Sequence, residues 1–486
     1  MELVVIPFPG IGHLVSLLEM AKLLVDRDTR LTANVIVINM PEGPPIDITS
    51  IKQSISTDRI RFIEIPKDER DSTREVMKNT ATSFTNFIGT QIPFIQDAIT
   101  THVIKRSGSG RLIAFLVDMF CVSMMDVAEQ DFRVPSYIFF PSNASLLGLS
   151  NHLLTLSDNG QDITDFNGSD AELDVPAFPI PFPAKVLPWR VMDKNGGSAA
   201  YLDLVRSLRR AKGIVVNTFY DVEPEAIEAI LNDEGSPPIY PVGPILNLNK
   251  SVGEKRDDIV QWLDQQPPSS VIFLCFGSMG SFEDAQVKQM AIAIERSGHR
   301  FLWSVRRPPT SSGGKPWLTS EYNVLELEEV MPEGFFTRTA EIGKVIGWAP
   351  QVDVLGHKAV GGFVTHCGWN STMESLWFGV PTASWPLYAE QQANAFQMIK
   401  VLDLAVEIKM DYRKNWTKGG EDIVVEAGII ENALRQLMDE ENSIENQDRR
   451  KRVKEMSEKS RKAVQEGGSS YLSLGRFIDD ITNIPA

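Results

Sequence analysis

The chain has 486 residues, enough for two large cores, and its 43% hydrophobic and 23% charged residues give an ordinary globular balance. A formal charge of −16 argues against a nucleic-acid partner and against docking on anionic membranes. The three cysteines, Cys121, Cys275 and Cys367, form no CxxC pair, so a disulfide framework or zinc cage is not expected and a reducing, cytoplasmic setting fits. Met1 runs directly into an apolar stretch without a basic n-region, and no apolar run reaches the ~18 residues of a membrane span.

Residues 3–6 read as a short buried strand, broken by the Pro- and Gly-rich loop 7–12. Leu14, Leu17, Leu18, Ala21 and Leu24 then fall on one face of a helix. Asp26-Arg27-Asp28 spells a metal-binding DxD, but its place at the end of that helix reads as a solvated terminus. Further strands are expected at 34–38, 112–117, 136–140 and 213–217, and a linker at 241–254. The opening pattern then returns. Residues 271–276 read as a strand and 277–280 as a glycine loop, and Val287, Met290, Ala291 and Ile294 repeat the helical stripe. Strands follow at 301–305, 343–346, 361–365 and 382–385. The TSSGG stretch at 310–314 reads as a mobile loop, and the basic run Arg449 to Arg452 as a solvated helix face.

Strands alternating with helices give an α/β fold: two facing Rossmann-like, doubly wound parallel-sheet domains, at 1–245 and 255–465. A one-sided apolar helix at about 468–486 is expected to pack back on the first domain. In open parallel sheets ligands sit beyond the carboxyl ends of the strands, so a ligand is expected in the cleft between the sheets.

The segment 348–391 is the richest in chemistry. It reads WAPQVDVLGHKAVGGFVTHCGWNSTMESLWFGVPTASWPLYAEQ. A strand at 361–365 meets a tight turn and then a short helix at 371–378, whose start offers N–H groups and a positive dipole end to an anion. His366 stands at its mouth, and Trp348 offers a flat face to a base. Ser371 and Glu374 also fit an ordinary S-x-x-E capping box. Cys367 beside His366 is not expected to act as a nucleophile, because neighbours on a turn seldom point at each other.

This 44-residue segment resembles the signature box of plant secondary-product UDP-glycosyltransferases, and the opening PFPGIGHL and the Phe276-Gly277-Ser278 loop are similar to that family's. The resemblance implies a GT-B fold, with the acceptor in the N-terminal half and UDP-glucose, the donor, in the C-terminal half. It implies that Trp348 stacks on uracil, that the Ala349 backbone pairs with its edge, and that Gln351 and Glu374 bind ribose. Ser278, His366, Asn370 and Ser371 would hold the diphosphate. Trp369, Glu390 and Gln391 would hold the sugar hydroxyls. In the family a final Gln with Trp at the twenty-second position goes with glucose, while Glu390 stands where many members have Asp, which leaves another UDP-sugar as an alternative.

The resemblance also gives roles to His13, just past the first glycine loop, and Asp118, at the carboxyl end of a buried strand. An imidazole suits a general base near neutral pH, and a carboxylate can orient it and stabilise the imidazolium, although Asp also favours helix N-caps. The expected reaction is an inverting displacement that forms a β-O-glucoside on a small phenolic or flavonoid-like acceptor, with no metal. Phe84, Phe87, Phe120, Phe140, Phe182 and Tyr388 are the candidate acceptor walls. SVRRPP, at 304–309, is similar to a subgroup active on phenolics. A monomer is expected. A Rossmann NAD-dependent oxidoreductase is the rival reading, but Val15 occupies the third glycine position of its fingerprint. The other rival, a nucleotide-sugar binder without turnover, does not account for His13 with Asp118.

Overall fold

The computed structural model describes residues 1–40, 57–67, 83–108, 110–249, 253–309, 319–414, 423–439 and 443–483. The 310–314 loop expectation lies outside them. The chain divides into two compact units. Met1–Ala184, Trp189–Asn247 and Arg461–Ala486 make the first, and Lys185–Pro188 with Leu248–Ser460 make the second.

The first unit is built on seven parallel strands: β1 (Glu2–Ile6), β2 (Thr32–Val37), β3 (Ile60–Glu64), β4 (Leu112–Asp118), β5 (Ser136–Phe140), β8 (Ile214–Val216) and β9 (Ile239–Pro241). A separate antiparallel pair, β6 (Glu172–Leu173) and β7 (Phe182–Pro183), lies between β5 and β8 in sequence. The spatial order is β3-β2-β1-β4-β5-β8-β9, so the winding reverses between β1 and β4. The first helix, Ile11–Arg27, buries Leu14, Leu17, Leu18, Ala21 and Leu24, the stripe its periodicity predicts. Its last turn ends with Asp26 exposed and Asp28 bonded to Arg30, so the DxD run is a helix terminus. The helix Ser469–Thr482 belongs to this unit, where Leu474, Phe477, Ile478 and Ile481 join Leu3, Val5, Tyr137 and Tyr240 in one core. The Phe477 ring lies 5.2 Å from Tyr137 and 5.1 Å from Tyr240. The Tyr240 hydroxyl donates to Asp480, and the Arg27 guanidinium covers the Tyr471 ring.

The second unit repeats the plan with β10 (Val271–Cys275), β11 (Arg300–Ser304), β12 (Gly343–Ile346), β13 (Val360–Thr365), β14 (Thr382–Ser384) and β15 (Ala405–Glu407). All are parallel, in the order β12-β11-β10-β13-β14-β15, with the reversal between β10 and β13. Successive side chains of β10 go to opposite faces. Val271, Phe273 and Cys275 pack with Ile259, Leu263 and Leu355, while Ile272 and Leu274 pack with Met290, Ile294 and Leu434. With both faces covered, the strand must be apolar throughout, which is why it reads as an unbroken run. Each fully buried side chain of this size contributes about 1.5–3 kcal/mol.

Besides the short β6–β7 pair, three strands escape the sequence reading: β3, β9 and β15, each at a sheet edge. β3 is partly exposed, β9 ends in a proline, and β15 has three residues, so none carries the apolar run of a central strand. The basic run is a second difference. Arg449 is 7% exposed and bonded to Asp403 and Glu445, and Arg450 donates to the carbonyls of Gly361 and Leu437. These guanidinium groups tie the helix Ile444–Val464 to the unit and are not a solvated face, because each finds an internal acceptor.

Candidate functional site

In the first unit, β1 and β4 end side by side at the winding reversal. The chain leaves β1 at Ile6 and enters the first helix at Ile11, which puts His13 in the first helical turn. β4 ends on Asp118, which is fully buried. His13 Nδ1 lies 2.8 Å from Asp118 Oδ2, and the imidazole keeps 28% of its surface exposed. A carboxylate only accepts, so Nδ1 carries the hydrogen and Nε2 is the basic nitrogen. The other carboxylate oxygen, Oδ1, accepts from the Phe120 backbone N–H at 3.0 Å and caps the turn Met119–Cys121. Capping and histidine partnership are thus both present, one on each oxygen.

Aromatic rings surround this pair. Phe8 and Phe120 have ring centroids 5.5 and 5.3 Å from the imidazole, and Phe84 lies 4.9 Å from Phe8 and 5.7 Å from Phe120. Phe84 is 37% exposed. Of the acceptor-wall residues expected from sequence, Phe84 and Phe120 are therefore beside His13. Phe87, Phe140 and Phe182 are not: all three are fully buried packing side chains without surface to offer a ligand, Phe182 against Phe178 at 4.8 Å. Tyr388 packs against the core of the second unit, and burial pushes its hydroxyl pKa up to about 12. Phe8 was not singled out in the sequence, although its place in the loop between β1 and His13 was the available signal.

In the second unit, β10 runs into the loop Phe276-Gly277-Ser278 and β13 runs into His366-Cys367-Gly368. His366 is 7% exposed, and burial lowers its pKa to about 4, so the imidazole is neutral at ordinary pH. Its Nδ1 is buried with no hydrogen-bond partner among the described residues. Its Nε2 sits against two glycines. A Cβ on Gly277 would come within 2.8 Å of it, and one on Gly368 within 2.6 Å. Gly277 also has φ +76°, which favours glycine. Cys367 takes the left-handed conformation itself, φ 63°, and turns the chain into the helix Trp369–Phe378. Its thiol is buried and its pKa pushed up to about 12, which removes it as a nucleophile.

That helix is capped by Gly368, with no side-chain cap, so Ser371 and Glu374 do not form a capping box. Instead Gln351 Nε2 donates to Ser371 Oγ at 2.8 Å and to Glu374 Oε2 at 2.6 Å, joining residues 20 and 23 positions apart. Burial raises the Glu374 pKa to about 7 against that hydrogen bond. Trp348 is 45% exposed, a surface platform rather than a core residue. Ala349 is partly buried and packs beside the adjoining core. The Trp369 ring is 2% exposed and packed. Asn370 is partly buried in the first turn, Ser278 is exposed on its loop, and Glu390 is partly buried. Gln391 Oε1 accepts from the backbone N–H groups of Leu387 and Tyr388, at 2.9 and 3.0 Å, which fixes the turn before it. Among the described residues no three His, Cys, Asp or Glu side chains cluster as metal ligands, and no helix is long and apolar enough to cross a membrane.

Residues 254–446 match the family described as UDP-glucoronosyl and UDP-glucosyl transferase. Over 99% of both chains, this protein is 51% identical to a putative UDP-glucose flavonoid 3-O-glucosyltransferase of Fragaria ananassa. A UDP-glycosyltransferase of Malus domestica is 50% identical over the same shares. Among solved structures, a transferase of Siraitia grosvenorii in complex with UDP is 44% identical with a TM-score of 0.84, covering 99% of this chain and 100% of that one. A glycosyltransferase of Medicago truncatula complexed with UDP-glucose is 41% identical with a TM-score of 0.85, covering 99% and 98%. With full-length relatives at about half identity and the same pair of parallel sheets, the chain belongs to the plant UDP-glycosyltransferases, enzymes of GT-B fold that transfer a glycosyl group from a UDP-sugar to an acceptor.

Proposed function

We propose that this enzyme moves glucose from UDP-glucose to a hydroxyl of a small phenolic acceptor by a single inverting displacement, with His13 as general base. The observation that carries the reading is the 2.8 Å bond from His13 to a fully buried Asp118. It sets the tautomer with Nε2 basic and offers a fixed negative charge to the imidazolium that proton uptake creates. Nε2 takes the acceptor's hydroxyl proton as its oxygen attacks the anomeric carbon. The bond from that carbon to the UDP oxygen breaks, and UDP leaves with the electron pair. One displacement on an α-linked donor gives the β-O-glucoside.

The donor is assigned to the second unit. Trp348 stacks on uracil and the Ala349 backbone pairs with its edge. Gln351 and Glu374 take the ribose hydroxyls. Ser278, His366, Asn370 and Ser371 take the diphosphate, where the glycine-lined space at His366 and the start of the Trp369–Phe378 helix favour an anion. His366 acts there as a neutral hydrogen-bond donor, because burial keeps it uncharged. Glu390 and Gln391 take sugar hydroxyls, and the packed Trp369 ring leaves that residue's share to its backbone. The acceptor is assigned to the first unit, with Phe8, Phe84 and Phe120 as an apolar aromatic wall beside the base. The flavonoid named for the Fragaria relative is an acceptor of that chemistry.

The test is product formation from UDP-glucose, and from UDP-galactose beside it, with a panel of flavonoids and simple phenols. Mass spectrometry reports the added hexose, and the anomeric proton coupling reports configuration. A β-glucoside is expected. An α-glucoside would sink the single displacement, and exclusive use of UDP-galactose would sink the donor assignment.

A further inference from the structure

The stretch Thr319 to Glu321 touches the loops that follow β10, β11 and β12 in turn, and the donor reading leaves it without a role. Thr319 Oγ1 donates to the Ser278 carbonyl at 2.9 Å, on the loop after β10. Arg306, just past β11, grips Thr319 at two points: Nε to Oγ1 and Nη2 to the carbonyl, both at 3.2 Å. Its Nη1 lies 3.7 Å from Glu321 Oε1. Arg307 and Ser320 form an antiparallel bridge, with N–H to carbonyl bonds of 2.8 and 3.2 Å running both ways. Glu321 then lies over the loop after β12, so close that a Cβ on Gly347 would come within 2.5 Å of its carboxyl carbon. Trp348 is the next residue.

We infer that Arg306 and Thr319 are positioning residues for the donor: with Glu321 they brace the Ser278 loop at a fixed spacing from the Trp348 platform. The inference rests on the donor reading above. A nucleoside diphosphate has a base and a diphosphate at a set separation, and a site that binds both ends must hold that separation before the ligand arrives. Phe276 and Phe282 anchor the two ends of this loop in the core, while Ser278 and Met279 at its crest are exposed, so the bond to the Ser278 carbonyl is what holds the crest. Thr319 does this with a hydroxyl that Arg306 aims. None of these three side chains is required to touch the sugar or the acceptor.

The experiment compares Thr319→Val with Thr319→Ser by titration with UDP and with uridine, and by steady-state kinetics. Removing the hydroxyl deletes one hydrogen bond to the loop, so UDP should bind about three- to tenfold more weakly. Uridine affinity and acceptor KM should hold, because uridine does not reach the braced loop. The serine variant should bind UDP as the parent does. Unchanged UDP affinity in Thr319→Val overturns the brace, and so does an equal loss for UDP and uridine, which marks a general disturbance. A Gly277→Ala variant tests the donor reading separately, since its Cβ would press on His366. Unchanged UDP affinity there removes the donor reading itself. A loss there with Thr319→Val unaffected removes only the brace.

Discussion

Each sheet reverses its winding once, each reversal holds one histidine, and the two imidazoles are set up for different work. In the first sheet the ring follows the strand at the start of the motif, and the neighbouring strand ends in the carboxylate that bonds it, Asp118. In the second sheet the ring comes directly after the neighbouring strand, and glycines take the facing positions. His366 has burial as the cause acting on it and stays neutral down to about pH 4. An imidazole beside a carboxylate has a stabilised charged form and suits proton uptake. One buried without such a partner can offer only a hydrogen bond. The two rings thus lie on opposite sides of their reversals, and under the proposed function the neighbour of each decides whether it takes a proton or only offers a hydrogen bond.

Four experiments break or sharpen that contrast. The largest effect is expected for His13→Ala, which should lower kcat by up to about 10⁴-fold while calorimetry gives the parent's UDP affinity. A loss of UDP affinity would contradict the division of labour. Asp118→Asn should cost about 10²-fold or more in kcat. The amide can still accept from the Phe120 N–H, so the turn survives, but its NH₂ would face His13 Nδ1 and favour the wrong tautomer. A flat response would mean that the carboxylate only caps. Gly368→Ala is the matching perturbation in the second unit. The added Cβ would displace His366, and a rise of about tenfold or more in UDP-glucose KM is expected, with acceptor KM steady. The smallest effect concerns pH. Glu374 has its pKa raised to about 7 by burial, so it is protonated below that value and a full acceptor above it. UDP-glucose, whose diphosphate does not titrate in this range, should bind more tightly as pH rises from about 6 to 8, by at most about tenfold per unit. Glu374→Gln should flatten the profile. His366, at about 4, contributes nothing in that window.

The central strands were legible because both their faces are covered, which forces unbroken apolar runs. The edge strands β3, β9 and β15 were not, because β3 is partly exposed, β9 ends in proline and β15 has only three residues, so none makes a long apolar run. The pairing of His13 with Asp118 was legible from their places at strand ends, and the family from the length of the 348–391 box. The aromatic cluster around His13 was legible only in part. A phenylalanine reads the same whether it lines a pocket or fills a layer, and only the packing distinguishes Phe84 and Phe120 from Phe87, Phe140 and Phe182. The solvated face expected over Arg449 to Arg452 holds at exposed Lys451 but fails at Arg449 and Arg450 for a related reason: charge in a sequence does not reveal whether an acceptor is waiting for it.

The helix Ser469–Thr482 has a consequence for biosynthesis. It supplies Leu474, Phe477, Ile478 and Ile481 to a core whose other members are made hundreds of residues earlier, while the second unit is almost continuous in the chain. On the ribosome the later-made unit can therefore finish folding before the earlier one, which must wait with part of its apolar face uncovered. A chain stalled before residue 469 should expose that face, making chaperone capture or aggregation the fate of incomplete translation products.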